Sequence, residues 1–366
     1  MRNQYFQQVK KNFGFGCMRL PMVNDTVDLV ETRKMVDAFL AAGFNYFDTA
    51  HGYLGGQSEI ALRECLTSRY PRDAYVLTNK LSNNHFEKNE DIRPLFESQL
   101  RICGVDYFDF YLMHAQSASR FVKYKQCRAY ETAMELRAEG KIKHLGISFH
   151  DKAAVLDQIL TEYPQIEVVQ IQLNYVDFND PSVESGKCLA VCRKHGKPAI
   201  IMEPVKGGNL AALPEEAQHV FDQLGGGSNA SYAIRFAASQ QGVMMVLSGM
   251  GSMEMMNDNI GYMQNFQPLS QQEAEAVARV CAILRSQGTI PCTACRYCTE
   301  VCPQGISIPE LFASLNTKTL FSDWNASGTL SGAKASDCLK CGRCEETCPQ
   351  HLQIRTLLDR AAAELE

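Results

Sequence analysis

Eight of the fifteen cysteines in this 366-residue chain fall in two runs of the same spacing, Cys292-x2-Cys295-x2-Cys298-x3-Cys302-Pro303 and Cys338-x2-Cys341-x2-Cys344-x3-Cys348-Pro349. Thiolates are soft metal ligands. Three cysteines with two residues between neighbours can wrap one side of an iron–sulfur cubane, while a fourth, followed by proline, is directed away from it. Structural zinc sites also take four thiolates and are the rival reading, but zinc usually shows two separated CxxC pairs rather than a four-cysteine run used twice. The start, MRNQYFQQVKK, lacks the apolar core of a secretory leader, so a reducing cytoplasm is expected. A disulfide framework is then not expected, and clustered cysteines point to metal. The other seven, Cys17, Cys65, Cys103, Cys127, Cys188, Cys192 and Cys281, are scattered through helical or apolar patterns.

A second set of reactive side chains lies in the first third of the chain. Asp48 and Tyr53 occur in the stretch from Asn45 to Tyr53, Lys80 ends Thr78-Asn79-Lys80, and His114 closes Tyr111-Leu112-Met113-His114. Those four types suit reduction of a carbonyl group. Hydride added to carbon leaves charge on oxygen, so a proton donor must stand there. A tyrosine, ordinarily near pKa ~10, needs tuning for that work. A neighbouring ammonium lowers its pKa, and a carboxylate holds the ammonium in place. A histidine can orient and polarise the carbonyl oxygen. His51 sits beside this set; a solvated loop residue is the expected reading, with a second proton relay as the alternative.

Such residues need a rigid support. From about residue 12 to 265, short apolar runs alternate with amphipathic segments: candidate strands at 13–16, 45–47, 75–78, 108–113, 144–148, 168–173, 199–202 and 244–247, with helical patterns such as 32–41, 59–67, 130–139 and 184–193 between them. Eight repeats of this size predict a closed (β/α)8 TIM barrel rather than a doubly wound open sheet, because no GxGxxG turn follows an early strand. Asp48, Tyr53, Lys80 and His114 then all lie at or just past carboxyl-terminal strand ends, the rim where barrels place catalysis. The α/β barrel is expected over residues 1–267. A linking helix follows over 268–287, capped by Ser270 with Glu273 as its capping-box partner. A small α-helical and loop-rich iron–sulfur domain occupies 288–366, with a polar insertion at 316–336 and a surface helix at 352–365.

In its order and local context, the Asp48, Tyr53, Lys80 and His114 set resembles the catalytic tetrad of the aldo-keto reductase superfamily, and the likeness extends over nearly the whole barrel. It implies Tyr53 as general acid/base, Lys80 as its tuner, Asp48 as partner of Lys80 and His114 as substrate orienter. Members that reduce carbon–carbon double bonds carry glutamate at the histidine position, so His114 favours carbonyl/alcohol chemistry. The resemblance further implies NADP or NAD as cofactor. Ser148 and Gln170 would bind its carboxamide, with Asn174 nearby. Lys206 and Gly207 in the loop after the seventh strand, Ser248, Gly249 and Ser252 after the eighth, and Asp258 with Asn259 on the adenine side complete the candidate set. Three departures bear on the nucleotide. Ser148 is followed by Phe149 rather than asparagine, Met202 stands where an aromatic commonly stacks, and no basic residue lies in Gly249–Met256 to meet a 2′-phosphate.

The cysteine runs are similar to those of bacterial two-cluster ferredoxins, in which the fourth cysteine ligates the other cluster. That resemblance implies one [4Fe–4S] cluster on Cys292, Cys295, Cys298 and Cys348, and a second on Cys338, Cys341, Cys344 and Cys302. A nicotinamide moves two electrons as hydride and a cluster one at a time; a flavin usually mediates, yet no flavin motif is present. Three functions therefore stand open. The first is an NAD(P)H-linked carbonyl/alcohol oxidoreductase whose clusters carry electrons to or from the barrel site or a redox partner protein. The second is an ordinary aldo-keto reductase with structural or oxygen-sensing clusters. The third is an electron-transfer module on a non-catalytic barrel. Oxygen-labile clusters imply an anaerobic or microaerobic host. The net charge of −5 gives no sign of a nucleic-acid binder, and no uncharged apolar run reaches the ~20 residues of a membrane span. Phe121 and Tyr124 are the expected substrate lining.

Overall fold

The computed structural model describes residues 5–320 and 332–366. Of the expected insertion at 316–336, residues 321–331 lie outside the described residues, and 316–320 finish the helix Ile308–Leu320. Ten strands follow in chain order: β1 (Phe13–Gly16), β2 (Met22–Val23), β3 (Thr26–Val27), β4 (Tyr46–Asp48), β5 (Val76–Leu81), β6 (Phe108–Gln116), β7 (Ile142–Phe149), β8 (Val168–Gln172), β9 (Ala199–Met202) and β10 (Val243–Ser248). β2 and β3 form a small antiparallel hairpin, and the other eight close into a barrel in which each strand pairs with the next and β10 returns to β1. All eight ladders are parallel. The (β/α)8 architecture read from the alternating pattern is therefore the one observed.

Strand and helix faces divide the work of burial. Tyr46, Val76, Phe110, Leu112, Val168, Ile200 and Met245 meet in one buried cluster. Space there is tight: a Cβ on Gly146 would stand 2.5 Å from Leu112 Cδ2 and 2.6 Å from Val168 Cγ1. Outside β1 and β4, the helix Leu29–Ala41 is started by Asp28, whose carboxylate accepts from the amides of Val30 and Glu31. Its Phe39 packs on Phe13, Phe15, Phe44 and Phe47, with ring centroids 5.1–6.0 Å apart. Burying one such ring stabilises by roughly 1.5–3 kcal/mol. The pattern at 59–67 is a helix Gln57–Leu62 that widens into a π-turn at Arg63–Thr67, not one uniform α-helix.

The chain forms two compact units: residues 1–174, 184–204 and 234–269 make the first, and 175–183, 205–233 and 270–366 the second. In the second unit, helix Gln271–Ser286 begins at Ser270, whose hydroxyl accepts from Glu273 N while the Glu273 carboxylate accepts from Ser270 N. Helices Ile308–Leu320 and Ile354–Leu365 join its core through Ile308, Leu311, Phe312, Leu315, Ile354, Leu358 and Ala361. The terminal helix expected on the surface is thus a core element: Ile354, Leu358 and Ala361 form an apolar stripe at helical spacing, and that stripe is covered. No helix among the described residues is long and apolar enough to cross a membrane.

Candidate active site and metal centres

Asp48 ends β4, Lys80 lies in β5, His114 in β6, and Tyr53 opens the short turn Tyr53–Gly56 that follows β4. Parallel pairing of β4 with β5 and of β5 with β6 brings the first three onto neighbouring strands. Lys80 Nζ donates to Asp48 Oδ1 at 2.5 Å and to the Thr49 carbonyl at 2.8 Å, and Gln170 Nε2 donates to Asp48 Oδ2 at 3.1 Å. Lys80 is wholly buried and Asp48 nearly so. Burial raises the Asp48 carboxyl and lowers the Lys80 ammonium, each opposed by attraction to its partner. Removing one member of such a pair strands the other charge, a loss of about 3–5 kcal/mol.

Tyr53 is partly exposed. Lys80 Nζ lies 4.8 Å from its ring centroid, and the His114 ring stands edge-on at 5.9 Å. His114 shares a hydrogen bond between Nδ1 and Ser82 Oγ at 2.6 Å. Burial pushes its pKa well below the usual histidine value, and the cations Lys80 and Arg120 push the same way. Near neutral pH the imidazole is therefore uncharged. The four residues of the expected tetrad converge in the first unit.

A buried polar chain behind Lys80 escaped the sequence reading. Asn79 Oδ1 accepts from Lys80 N at 2.8 Å and from Gln99 Nε2 at 3.1 Å, while Gln99 Nε2 also donates to the Lys80 carbonyl at 3.0 Å. Tyr111 donates to Gln99 Oε1 at 2.6 Å, and Asn79 Nδ2 donates to Glu59 Oε1 at 2.7 Å. Its signal was a glutamine on an otherwise apolar helix face, the buried Ile92, Phe96, Gln99 and Cys103 of helix Asn89–Cys103. The other Glu59 oxygen bonds His51 Nδ1 at 2.8 Å, and His51 stacks edge-on against His85 with centroids 4.7 Å apart. His51 is therefore half-buried and anchored rather than a solvated loop residue; Glu59 raises its pKa against an opposing effect of burial. Phe121 and Tyr124, the expected substrate lining, are packed into the interior. Both are buried, Phe121 against Tyr130 and Tyr163, and Tyr124 donates to the Leu81 carbonyl at 2.6 Å.

Most candidate nucleotide residues also gather in the first unit. Ser148 Oγ accepts from Ala115 N at 2.7 Å, and Asn174 Nδ2 donates to the Glu203 carbonyl at 3.2 Å. Ser248 ends β10, and Ser252 caps helix Met253–Met263. On that helix Asp258 is exposed, whereas Asn259 is buried with its Oδ1 unpaired. A buried acceptor without a donor fits a ligand that brings one. A Cβ on Gly249 would touch the aliphatic stem of Arg19 at 3.2–3.3 Å, so a basic residue from the turn after β1 packs its stem against a segment that has no cation of its own. Lys206 and Gly207 belong to the second unit, where Lys206 Nζ donates to Asp177 Oδ1 at 2.5 Å and to Gln350 Oε1 at 3.1 Å.

The cysteine runs repeat in backbone as well as in sequence. Ala294 and Lys340 both have positive φ, as do Arg296 and Gly342, which lead into the short turns Tyr297–Glu300 and Arg343–Glu346. Ala294 N and Lys340 N point at the sulfurs of Cys292 and Cys338, 3.5 and 3.4 Å away. One hollow is lined by Cys292, Cys295, Cys298 and Cys348, and a second by Cys302, Cys338, Cys341 and Cys344, each with apolar walls. Burial pushes the Cys298 thiol up to about 12 and the Cys344 thiol up to about 11. Among the described residues no three histidine, cysteine or acidic side chains converge as they would round a single metal ion. Four thiols spread round a hollow fit a larger polynuclear group better than lone zinc.

The Aldo/keto reductase family model matches residues 12–282, and the 4Fe-4S dicluster domain model matches residues 291–352. The NADH-specific methylglyoxal reductase of Escherichia coli (strain K12) is 27% identical over 195 residues, 48% of this chain and 57% of that protein. The chain spans about half the length of the first curated relatives it matches. A holo-form aldo-keto reductase from Bacillus halodurans is similar with a TM-score of 0.60 and 23% identity over 74% of this chain and 92% of that one. One from Klebsiella pneumoniae in complex with NADPH gives a TM-score of 0.59 and 20% identity over 74% and 90%. Both likenesses concern the fold.

Proposed function

The chain belongs to the aldo/keto reductase family, and from that premise we propose that its barrel interconverts a small carbonyl compound and the corresponding alcohol, using NADPH or NADH. The observation that carries this reading is the buried Asp48–Lys80 ion pair set against the ring of a partly exposed Tyr53, with neutral His114, on the strand beside that of Lys80, edge-on to the same ring. Tyr53 delivers the proton to the carbonyl oxygen in reduction and takes it back in oxidation. Lys80 favours the phenolate left behind, and Asp48, itself held by Gln170, keeps the ammonium in place. His114 is an uncharged donor to the same oxygen, fixed by Ser82. When bound, the nicotinamide supplies the hydride. Ser148, Gln170 and Asn174 would hold its carboxamide end, Ser248, Gly249 and Ser252 its phosphates, and Asp258 and Asn259 its adenine. Arg19 would offer the cation that Gly249–Met256 lacks.

In the second unit we assign one [4Fe–4S] cluster to Cys292, Cys295, Cys298 and Cys348 and another to Cys302, Cys338, Cys341 and Cys344. When bound, they would store single electrons for a redox partner or the barrel. The division of eight thiols between two hollows supports the assignment, and so do the amides aimed at Cys292 and Cys338, since hydrogen bonds to sulfur tune such centres.

The test of the barrel reading is Tyr53→Phe in anaerobically prepared protein, assayed with NADPH and NADH against a panel of small aldehydes and ketones. Loss of a general acid lowers turnover by roughly 10²–10⁴-fold, with iron content unchanged. Full turnover by the variant would refute the assignment of Tyr53.

A further inference from the structure

The two cysteine hollows are alike in backbone and unlike in the charge around them. Hollow one has a loop of residues 206–209 wedged against both chain segments that build it. A Cβ on Gly207, where φ is +68, would lie 2.3 Å from the Thr293 carbonyl oxygen, so only glycine permits that approach. Asn209 Nδ2 donates to the Cys292 carbonyl at 3.0 Å. From the same loop Lys206 Nζ reaches Gln350, two residues beyond Cys348 and itself part of the hollow's wall. Among the described residues of the second unit, Lys206 is the one buried lysine or arginine, and its partner Asp177 is buried with it.

The other cations lining the hollows are wet, although Glu345, the partner of Arg355 at the second, is only 17% exposed. Arg296 lines the first, but its side chain is 60% exposed and pairs with Glu310. Arg355 lines the second with 46% of its side chain exposed, paired to Glu345, and Arg343 beside it is exposed. Water and salt screen such groups, whereas a buried charge acts through a low dielectric.

We propose that Lys206 is a positioning and electrostatic residue for the cluster held by Cys292, Cys295, Cys298 and Cys348, raising that cluster's reduction potential relative to its twin while Asp177 moderates the effect. This rests on the cluster assignment above. An electron entering a cluster adds negative charge, which a nearby buried cation stabilises and a nearby buried anion opposes; cluster potentials follow net charge and hydrogen bonding of this kind. The pair thus makes the two centres inequivalent although their ligand spacings are the same.

The experiment is an anaerobic redox titration of the full chain followed by EPR, on wild type, Lys206→Met, Asp177→Asn and Lys206→Arg, with iron and sulfide measured on each. Lys206→Met moves one of the two reduction steps to lower potential, Asp177→Asn moves the same step upward, and Lys206→Arg stays near wild type. The other step does not move in any variant. If Lys206→Met fails to fold because Asp177 is stranded, the double variant Lys206→Met/Asp177→Asn removes both charges, and Asp177→Asn alone still tests the sign. Both steps shifting together, neither shifting, or Lys206→Arg behaving as Lys206→Met would overturn the proposal. A wild-type protein without iron–sulfur signals would instead overturn the cluster assignment itself.

Discussion

Histidines around the barrel rim differ by what each one faces. His114 is buried among cations and held uncharged, which suits a neutral donor. His51 faces Glu59, whose hydrogen bond raises its pKa above the ordinary 6.5. A group whose pKa is raised on folding contributes stability that is fully present below the unfolded value, about 6.5, and is lost as pH climbs through the folded one. Replacing His51 by Asn should therefore destabilise the protein most at mildly acid pH, and the gap to wild type should narrow as pH rises past neutrality. Thermal or urea unfolding of both proteins at pH 6, 7 and 9 checks this. A gap that widens with pH would mean that His51 is not protonated against Glu59. The test concerns an anchoring role and is independent of turnover, because Tyr53 carries the proton in the proposed chemistry.

Elements decide how accurately the tetrad is placed, and here the buried glutamine of helix Asn89–Cys103 has the largest reach. Gln99 bonds both the Lys80 carbonyl and the Asn79 oxygen that accepts from Lys80 N, so it fixes the backbone that carries the ammonium. Gln99→Leu keeps the apolar face but leaves those oxygens and the Tyr111 hydroxyl without this partner. Each orphaned buried group costs about 1–3 kcal/mol. We expect a lower melting temperature and a kcat that falls more than KM changes; an unaltered kcat would show that the chain behind Lys80 serves stability alone. Part of this framework was legible in advance. All eight barrel strands lie where short apolar runs were bounded by glycine and polar residues, because a strand buried on both faces leaves that mark. Their ends were less so: β6 continues through Gln116 across an irregular step in its pairing with β7, with Ala115 at φ +51, which no periodicity encodes. The four tetrad residues stood out because each lies near or just past the carboxyl-terminal end of a strand. Phe121 and Tyr124 misled, since an aromatic after a strand serves packing as readily as a pocket. The contacts of Lys206 were not legible either, because its partners Asp177 and Gln350 are distant in sequence.

At the scale of the whole molecule, the second unit joins its two halves through ligands as well as through its apolar core. Cys302 belongs to the first run but lines the hollow of the second, and Cys348 does the reverse. Both halves also share a core, in which helix Ile308–Leu320 follows the first run and helix Ile354–Leu365 follows the second. Under the proposed ligation, a single substitution should therefore act on the half that does not contain it. Cys348→Ala should abolish the centre otherwise held by Cys292, Cys295 and Cys298, and Cys302→Ala the one held by Cys338, Cys341 and Cys344. The potential step that is sensitive to Lys206 identifies which centre has gone: it should vanish in Cys348→Ala and persist in Cys302→Ala. Because ligand binding and folding are linked in such small metal domains, each loss should also lower the stability of the whole second unit rather than of one half. Iron content, EPR and protease resistance of the 270–366 segment in the full chain measure all three consequences. If Cys348→Ala instead removed the Lys206-insensitive centre, each run would bind its own cluster, and the grouping of cysteines in the two hollows would have to be abandoned as a guide to ligation.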